Sequence, residues 1–116
     1  MADLTLTTVH TQMADVSTAE IVRIPITPGL SGQLMQVRTV LGGAITVADA
    51  KLTIKKNTTA IGTITVAYSG SGSGVQDYLD FGSQQIFLTE GDRLVIDGDG
   101  GSTDAANLGI SVDIKR

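Results

Sequence analysis

Residues 33–67 read QLMQVRTVLGGAITVADAKLTIKKNTTAIGTITVA and hold three runs in which apolar and polar side chains alternate. Successive side chains of a β-strand point to opposite faces, so this alternation is typical of a half-buried strand. The many Val, Ile and Thr residues also suit a pleated surface better than a helix. The stretch therefore predicts three strands, whose alternating positions are Met35, Val37, Thr39 and Leu41, then Leu52 and Ile54, then Ile64, Val66 and Tyr68.

Turn-forming residues separate these runs. Gly42 and Gly43 permit positive φ angles after the first run, and residues 46–50 are long enough for one helical turn across an end of the sheet. Between the second and third runs, residues 57–59 (Asn-Thr-Thr) predict a tight hairpin.

Strand patterns also flank this stretch. Residues 20–26 place three apolar side chains on one face before a Pro-Gly pair ends the strand. Residues 85–88 and 93–97 predict two short strands that form a hairpin across a turn at residues 89–92. Residues 108–115 alternate throughout, so this strand is expected to lie centrally in a sheet.

The fold class follows from these runs taken together. Residues 69–74 (SGSGSG) predict a mobile loop between strands, because they offer little side chain to pack and neither flanking part alone could enclose a core. No apolar pattern of helical period is sustained, so the chain is predicted to be an all-β antiparallel β-sandwich or jelly-roll-like single domain. Its predicted core includes Val22, Ile24, Met35, Val37, Leu52, Ile54, Ile64, Val66, Leu94, Ile96, Ile110 and Val112.

Residues 1–18 precede the sandwich assigned to residues 19–116, and two interpretations of them stay open. A weak alternation at their start suits an ordinary first strand of the sheet. The apolar side chains are spaced too irregularly for a clear core strand, however, which suits an N-terminal arm that adds a strand to another subunit. We predict a contact with another subunit or a binding partner at Leu4, Leu6, Val9, His10 and Met13.

Composition argues against several classes of protein. The 116 residues include no cysteine, so neither disulfides nor a thiolate metal site can form. A formal net charge of −4 argues against a nucleic-acid partner, because phosphate binding needs clustered Lys and Arg side chains. The N-terminal sequence lacks the pattern of a secretory signal and no apolar run reaches about 20 residues, so we expect no membrane partner and no passage across a membrane.

One acidic segment raises the hypothesis of a metal site. Asp97, Asp99 and Asp104 lie in a Gly-rich loop whose oxygens could wrap a hard cation such as calcium. The spacing does not match an EF-hand, and Asp-Gly pairs are ordinary turn formers. A plain loop is therefore the prediction, with no metal and no cofactor.

No catalytic constellation is predicted. His10 is the only histidine, and the sequence holds neither a cysteine nor a GxSxG element to partner it. Asp77, Asp80 and Glu90 could pair as glycosidase carboxylates, but carboxylates this frequent in an acidic chain are usually solvated. The chain is predicted not to be an enzyme.

A family resemblance rests on four segments, VLGGAITVADAKLT (40–53), GTITV (62–66), GD (91–92) and DGGST (99–103). With these segments, roughly residues 20–116 resemble the capsid decoration (cement) proteins of tailed bacteriophages. The resemblance implies a β-rich homotrimer that binds the major capsid protein on the outside of the head and stabilises the shell. It also implies a virion protein that is made in the host cytoplasm. Residues 1–18 fall outside it, and in the setting that the resemblance implies, the contact predicted at Leu4, Leu6, Val9, His10 and Met13 is one with the capsid or with another subunit.

The alternative is a receptor- or glycan-binding module of a phage head or tail fibre. Sugar-binding sandwiches usually offer aromatic platforms, and this chain has only Tyr68, Tyr78, Phe81 and Phe87. Tyr78 and Phe81 either form a small exposed contact or cap the open end of a sandwich, and we predict the cap. The shortage of aromatic residues favours the capsid role.

Overall fold

The computed structural model describes residues 6–17, 19–45, 48–101 and 106–115. Within these ranges the chain forms nine strands and a short 3-10 helix at Pro28–Leu30. None of the described segments is a helix long and apolar enough to span a bilayer. The strands, β1 to β9 in chain order, are Leu6–Met13, Ile21–Pro25, Gly32–Leu41, Ala50–Lys56, Thr59–Val66, Gln76–Asp80, Phe87–Leu88, Arg93–Gly98 and Leu108–Lys115.

These strands form two antiparallel sheets. The first sheet has the strand order β1-β9-β3-β6, with β7 also paired to β3, and the second has the order β2-β8-β4-β5. Eight strands therefore pair in a nested way, β1 with β9, β2 with β8, β3 with β6 and β4 with β5. A long antiparallel ribbon rolled on itself gives this nesting, which is typical of a jelly roll. The predicted all-β antiparallel sandwich is confirmed.

The core lies between the two sheets and is built from the inward faces of the strands. β9 runs between β1 and β3, and Leu108, Ile110, Val112 and Ile114 are each at most 1% exposed. The central position predicted for this strand is therefore confirmed. The other predicted core residues that are buried are Ile24, Val37, Leu52, Ile54, Ile64, Val66, Leu94 and Ile96.

Two predicted core residues, Val22 and Met35, are only partly buried. The register of β3 against β9 shifts between Leu34 and Gln36. Such an irregularity changes the alternation, so Leu34 is fully buried in place of Met35, while Val37 keeps its predicted phase. Val22 lies on the edge strand β2 and packs against the core from the margin of the sheet.

The predicted hairpin between residues 85–88 and 93–97 is wrong. β7 pairs with β3 in the first sheet, whereas β8 lies between β2 and β4 in the second. The intervening turn does form, since Gly91 has a φ of 95° and the Asp92 N–H donates to the Thr89 carbonyl at 2.9 Å. The turn therefore carries the chain from one sheet to the other.

Other connections agree with the sequence where they are described. Asn57 has a φ of 58° in the tight turn that joins β4 to β5, which confirms that hairpin. Residues 69–74 join β5 to β6, so the predicted loop between strands is present, and the Gly74 N–H donates to the Leu41 carbonyl at 2.7 Å. The mobility of this loop stays a prediction. The helical turn predicted at residues 46–50 falls partly outside the described residues.

The strand β6 is absent from the sequence predictions. Its five residues alternate only between exposed and partly buried, so they lack a strong apolar face. β3 holds this strand at the edge of the first sheet, and Leu79 packs against the core from it. An edge strand that buries so little leaves a weak period-two signal in the sequence.

Candidate functional site

The predicted contact segment forms β1, an edge strand of the first sheet. It pairs with β9 along its length, from Leu6 opposite Lys115 to Met13 opposite Leu108. Leu4 lies outside the described residues. Residues 6–13 therefore follow the first-strand interpretation, and a contact between β1 and another subunit stays a prediction.

The inward side chains of β1 belong to the core. Val9 packs partly buried against the core, and Met13 is 0% exposed. Met13 reaches across to the second sheet, because its Cε and Sδ lie 3.0 and 3.2 Å from where a Cβ on Gly98 would be. The prediction of an external contact at Met13 is corrected, since none of this residue reaches the surface.

The outward side chains of β1 join the outer face of the first sheet, by which we mean the side chains of β1, β9, β3, β6 and β7 that point away from the core. This face is mostly polar, and the strand register arranges it in rows. Two neighbouring rows cross β1, β9, β3 and β6, one being Thr8, Asp113, Gln36 and Asp80 and the next His10, Ser111, Arg38 and Tyr78.

Asp113 links three strands of this face. Its Oδ1 accepts hydrogen bonds from Thr8 Oγ1 at 2.8 Å and from Arg38 Nη2 at 3.0 Å, and the residue is only 8% exposed. A carboxylate this buried needs such partners, because burying an unpaired charge is costly. The Nε of Arg38 is also buried, and it has no hydrogen-bond partner among the described residues. These contacts fix the Arg38 guanidinium against the face.

His10 also has a partner on this face. Its Nδ1 lies 2.9 Å from Ser111 Oγ, and both residues sit in one row of the sheet. A Ser–His pair acts as a nucleophile only when a third group orients the imidazole. The neighbouring carboxylate of Asp113 is already bonded to Thr8 and Arg38. The described residues thus complete no triad, and the pair is a surface hydrogen bond.

Exposed apolar side chains are concentrated on this face. Of the five large hydrophobic residues that are exposed in the described ranges, Val40, Tyr78 and Phe87 lie here, on β3, β6 and β7. Tyr78 is 67% exposed, the highest value among the five, and Phe87 is 55% exposed. The two residues predicted to form a cap lie in different surroundings. Phe81 is 0% exposed and belongs to the core, whereas Tyr78 is exposed on the outer face. The face therefore combines a fixed polar network with unpartnered apolar groups.

Asp97 of the predicted acidic loop lies on β8 instead, Asp99 follows that strand, and both are held by hydrogen bonds within the chain. Asp97 Oδ2 lies 3.0 Å from Lys55 Nζ, and Asp99 Oδ1 accepts from the backbone N–H groups of Lys51 and Gly101 at 3.0 and 2.8 Å. Asp104 lies outside the described residues. In the part of the chain that the structure describes, no three His, Asp or Glu side chains are grouped to hold a metal ion.

The three carboxylates considered for glycosidase chemistry are not arranged as a pair. Asp77 and Asp80 lie on opposite faces of β6, and Glu90 lies in the turn between the sheets. Asp77 faces inward opposite Thr39, and burial raises the pKa of its carboxyl group. Asp80 accepts a hydrogen bond from the Gly82 N–H at 2.9 Å.

The central residues of this face, Arg38 and Asp113, do not stand out in the sequence. Arg38 and Asp113 both occupy polar positions of alternating strands, where a solvated side chain is the usual expectation. Their separation along the chain is 75 residues, so only strand pairing brings them together. A charged residue at an outward position of a central strand such as β9 is the one signal that could have pointed to Asp113.

No family model matches this chain, and no curated protein matches it at a significant level. The resemblance to phage capsid decoration proteins therefore stays a prediction.

Proposed function

We propose that this protein is a structural virion protein of a tailed bacteriophage, which binds the outside of the capsid as a homotrimer and stabilises the shell. The proposal takes its biological setting from the sequence resemblance. The contact surface is the outer face of the first sheet. The protein acts by adhesion, and its partners are the major capsid protein and other copies of itself.

The observation that carries the proposal is the grouping of Val40, Tyr78 and Phe87 on one outer face. Tyr78 pairs with Arg38, two residues from Val40 on β3, whereas Phe87 pairs with Gln33 near the start of that strand, so the face has an apolar pair and a separate aromatic side chain. Aromatic residues are enriched in protein interfaces, and an exposed apolar surface commonly marks a contact. The fixed Arg38 beside Tyr78 adds a hydrogen-bond donor of the type that interfaces favour.

The fold is compatible with this role. Jelly rolls occur in viral capsid proteins and in lectins, so the architecture alone fits both the proposed role and the fibre alternative. A chain of 116 residues buries only a modest core, and a trimer would add buried area while covering sheet edges. Binding to the assembled shell stabilises that shell by mass action, and this requires no active site.

The proposal can be tested with capsid shells of the phage that encodes the chain. Wild-type protein is expected to co-sediment with the shells and to raise their melting temperature. Tyr78→Ser should weaken attachment about tenfold, because truncating an exposed aromatic anchor commonly costs more than 1 kcal/mol in an interface. Tyr68→Ser is the matched control, since Tyr68 is 45% exposed and follows β5 of the second sheet.

Light scattering of the free protein should give three times the 12.0 kDa mass of the chain. A monomer at micromolar concentration that stays a monomer on concentration contradicts the trimer. Equal attachment of the Tyr78→Ser and wild-type proteins contradicts this contact surface. Immunogold labelling of fibres instead of heads would favour the receptor-binding alternative.

A further inference from the structure

On the outer face of the second sheet, four charged side chains surround Val95. In the register, Val95 of β8 lies between Arg23 of β2 and Lys55 of β4. Arg93 and Asp97 lie two residues away along β8, on the same face. Neighbouring strands are about 5 Å apart and alternate residues of a strand about 7 Å apart, so the three cations surround one spot.

The charge of this spot is positive although the chain is acidic overall. The chain has eight Lys and Arg residues and a formal net charge of −4, and three of those eight residues lie around Val95. Lys55 Nζ is paired with Asp97 Oδ2 at 3.0 Å. Within the described ranges, Arg23 and Arg93 have no carboxylate within 4.0 Å, so both guanidinium groups keep their donors available to a ligand.

The same residues line a cleft of about 280 Å³. Val95 forms an apolar floor, and Ile21, which is 43% exposed, forms an apolar wall. Asn57 and Thr58 of the β4–β5 turn close the other side. The cleft therefore offers two free guanidinium groups beside an apolar surface, which suits an acidic side chain next to an apolar one.

We infer that this cleft is a docking site for an extended acidic segment of a partner protein. A carboxylate matches the guanidinium fork, which can donate two parallel hydrogen bonds to it. In an extended segment alternate residues share one side, about 7 Å apart, so two carboxylates reach the region of Arg23 and Arg93 together. The site lies on the opposite sheet from the proposed contact face. It therefore goes beyond the proposed function, and its failure would leave that proposal standing.

A nucleic-acid strand is a poorer match for the cleft. Phosphate backbones are bound by extended rows of cations and, when single-stranded, by aromatic side chains that stack on bases. The cations here are confined to one cleft, and no aromatic residue lines it. A nucleic-acid strand would extend beyond the cleft, where the net negative charge of the chain repels it. A short acidic segment stays within the cleft and meets the local positive charge.

The test uses full-length protein and the peptide acetyl-Asp-Val-Asp-Val-Asp-Val-amide, titrated by calorimetry and followed in amide NMR spectra. We expect saturable binding that weakens with added salt, with the largest shifts at the amides of the cleft. Arg23→Gln and Arg93→Gln should each weaken binding about threefold to tenfold. Asp97→Asn should tighten binding, because it releases Lys55. Lys115→Gln, on β9 of the other sheet, should leave binding unchanged.

Two controls make the result specific. The same peptide with Asn in place of Asp should not bind, and a (dT)12 oligonucleotide should bind more weakly than the acidic peptide. The inference is overturned if the peptide shifts no cleft amide, if Arg23→Gln and Arg93→Gln bind as wild type does, or if Asp97→Asn weakens binding. Tighter binding of the oligonucleotide would overturn it in favour of a nucleic-acid site.

Discussion

Replacing Met13 by alanine tests whether β1 is part of the folded sandwich or an arm that docks elsewhere. The substitution removes Cγ, Sδ and Cε of a side chain that is 0% exposed. These atoms pack where Gly98 has no side chain, so the neighbouring strand offers nothing flexible to fill the gap. Truncation of a buried Met typically costs about 2–5 kcal/mol, which is a large part of the roughly 5–15 kcal/mol that stabilise a domain.

Urea unfolding of wild type, Met13→Ala and Gln12→Ala measures this cost. Gln12 is the matched control, because it precedes Met13 on β1, points to the opposite face and is exposed. We expect Met13→Ala to lower the midpoint strongly at an unchanged m-value, and Gln12→Ala to change the free energy of unfolding by less than about 0.5 kcal/mol. A melting temperature lower by roughly 10 °C should accompany the loss.

Equal stability of Met13→Ala and Gln12→Ala would contradict the burial of Met13 in the core. It would mean that β1 is not docked on the core of the free protein, and the arm interpretation of residues 1–18 would return. A deletion of residues 1–13 gives a second measurement. On the docked-strand interpretation the deletion removes Met13 and leaves β9 at the sheet edge, so the truncated chain should unfold at lower urea than Met13→Ala.

Three further substitutions test the packing and the pH dependence of stability. Gly32→Ala should cost about 1–3 kcal/mol in urea unfolding, because its Cβ would meet the backbone oxygen of Lys115, whereas Gly43→Ala, with open space around it, should cost far less. Hydrogen bonds from the Thr89 N–H and then from Asn57 lower the pKa of Asp92 below 3.8, so its stabilisation is present above that pH and is lost as the pH falls through the folded-state pKa. Asp92→Asn should therefore melt below wild type at pH 7, and the difference should shrink at pH 3. The effect of Asp77 on stability has the opposite sign, because burial raises the pKa of its carboxyl group and the ionised form therefore destabilises the fold. Asp77→Asn should melt above wild type at pH 7 and match it at pH 3. Differences that do not change with pH would contradict both assignments.

The features of the fold that depend on neighbouring residues could be predicted from the sequence. The alternation of β3, β4, β5 and β9 is local, because it reflects which face of each strand meets the core. The turn at Asn57 and the turn ending at Asp92 are likewise set by residues that tolerate or require positive φ. From these elements the all-β sandwich follows, since amphipathic strands without helices must bury their apolar faces against one another.

The strands that become neighbours could not be predicted from any local pattern and are known only from the folded structure. The sequence cannot tell that β7 joins β3 while β8 crosses to the other sheet, because a hairpin and a crossover use the same turn. The alternation in the sequence also does not locate the irregularity in β3 that buries Leu34 instead of Met35, because this irregularity depends on how β3 pairs with β9.

The two candidate surfaces depend on this pairing even more strongly. Arg38 meets Asp113, and Arg23 meets Lys55 and Arg93, only because nested strand pairing places distant parts of the chain side by side. Side-chain periodicity encodes the face of a strand but not its partner, because pairing is made by backbone groups that every residue carries. The fold class was therefore readable from the sequence, and the surfaces that could bind partners were not.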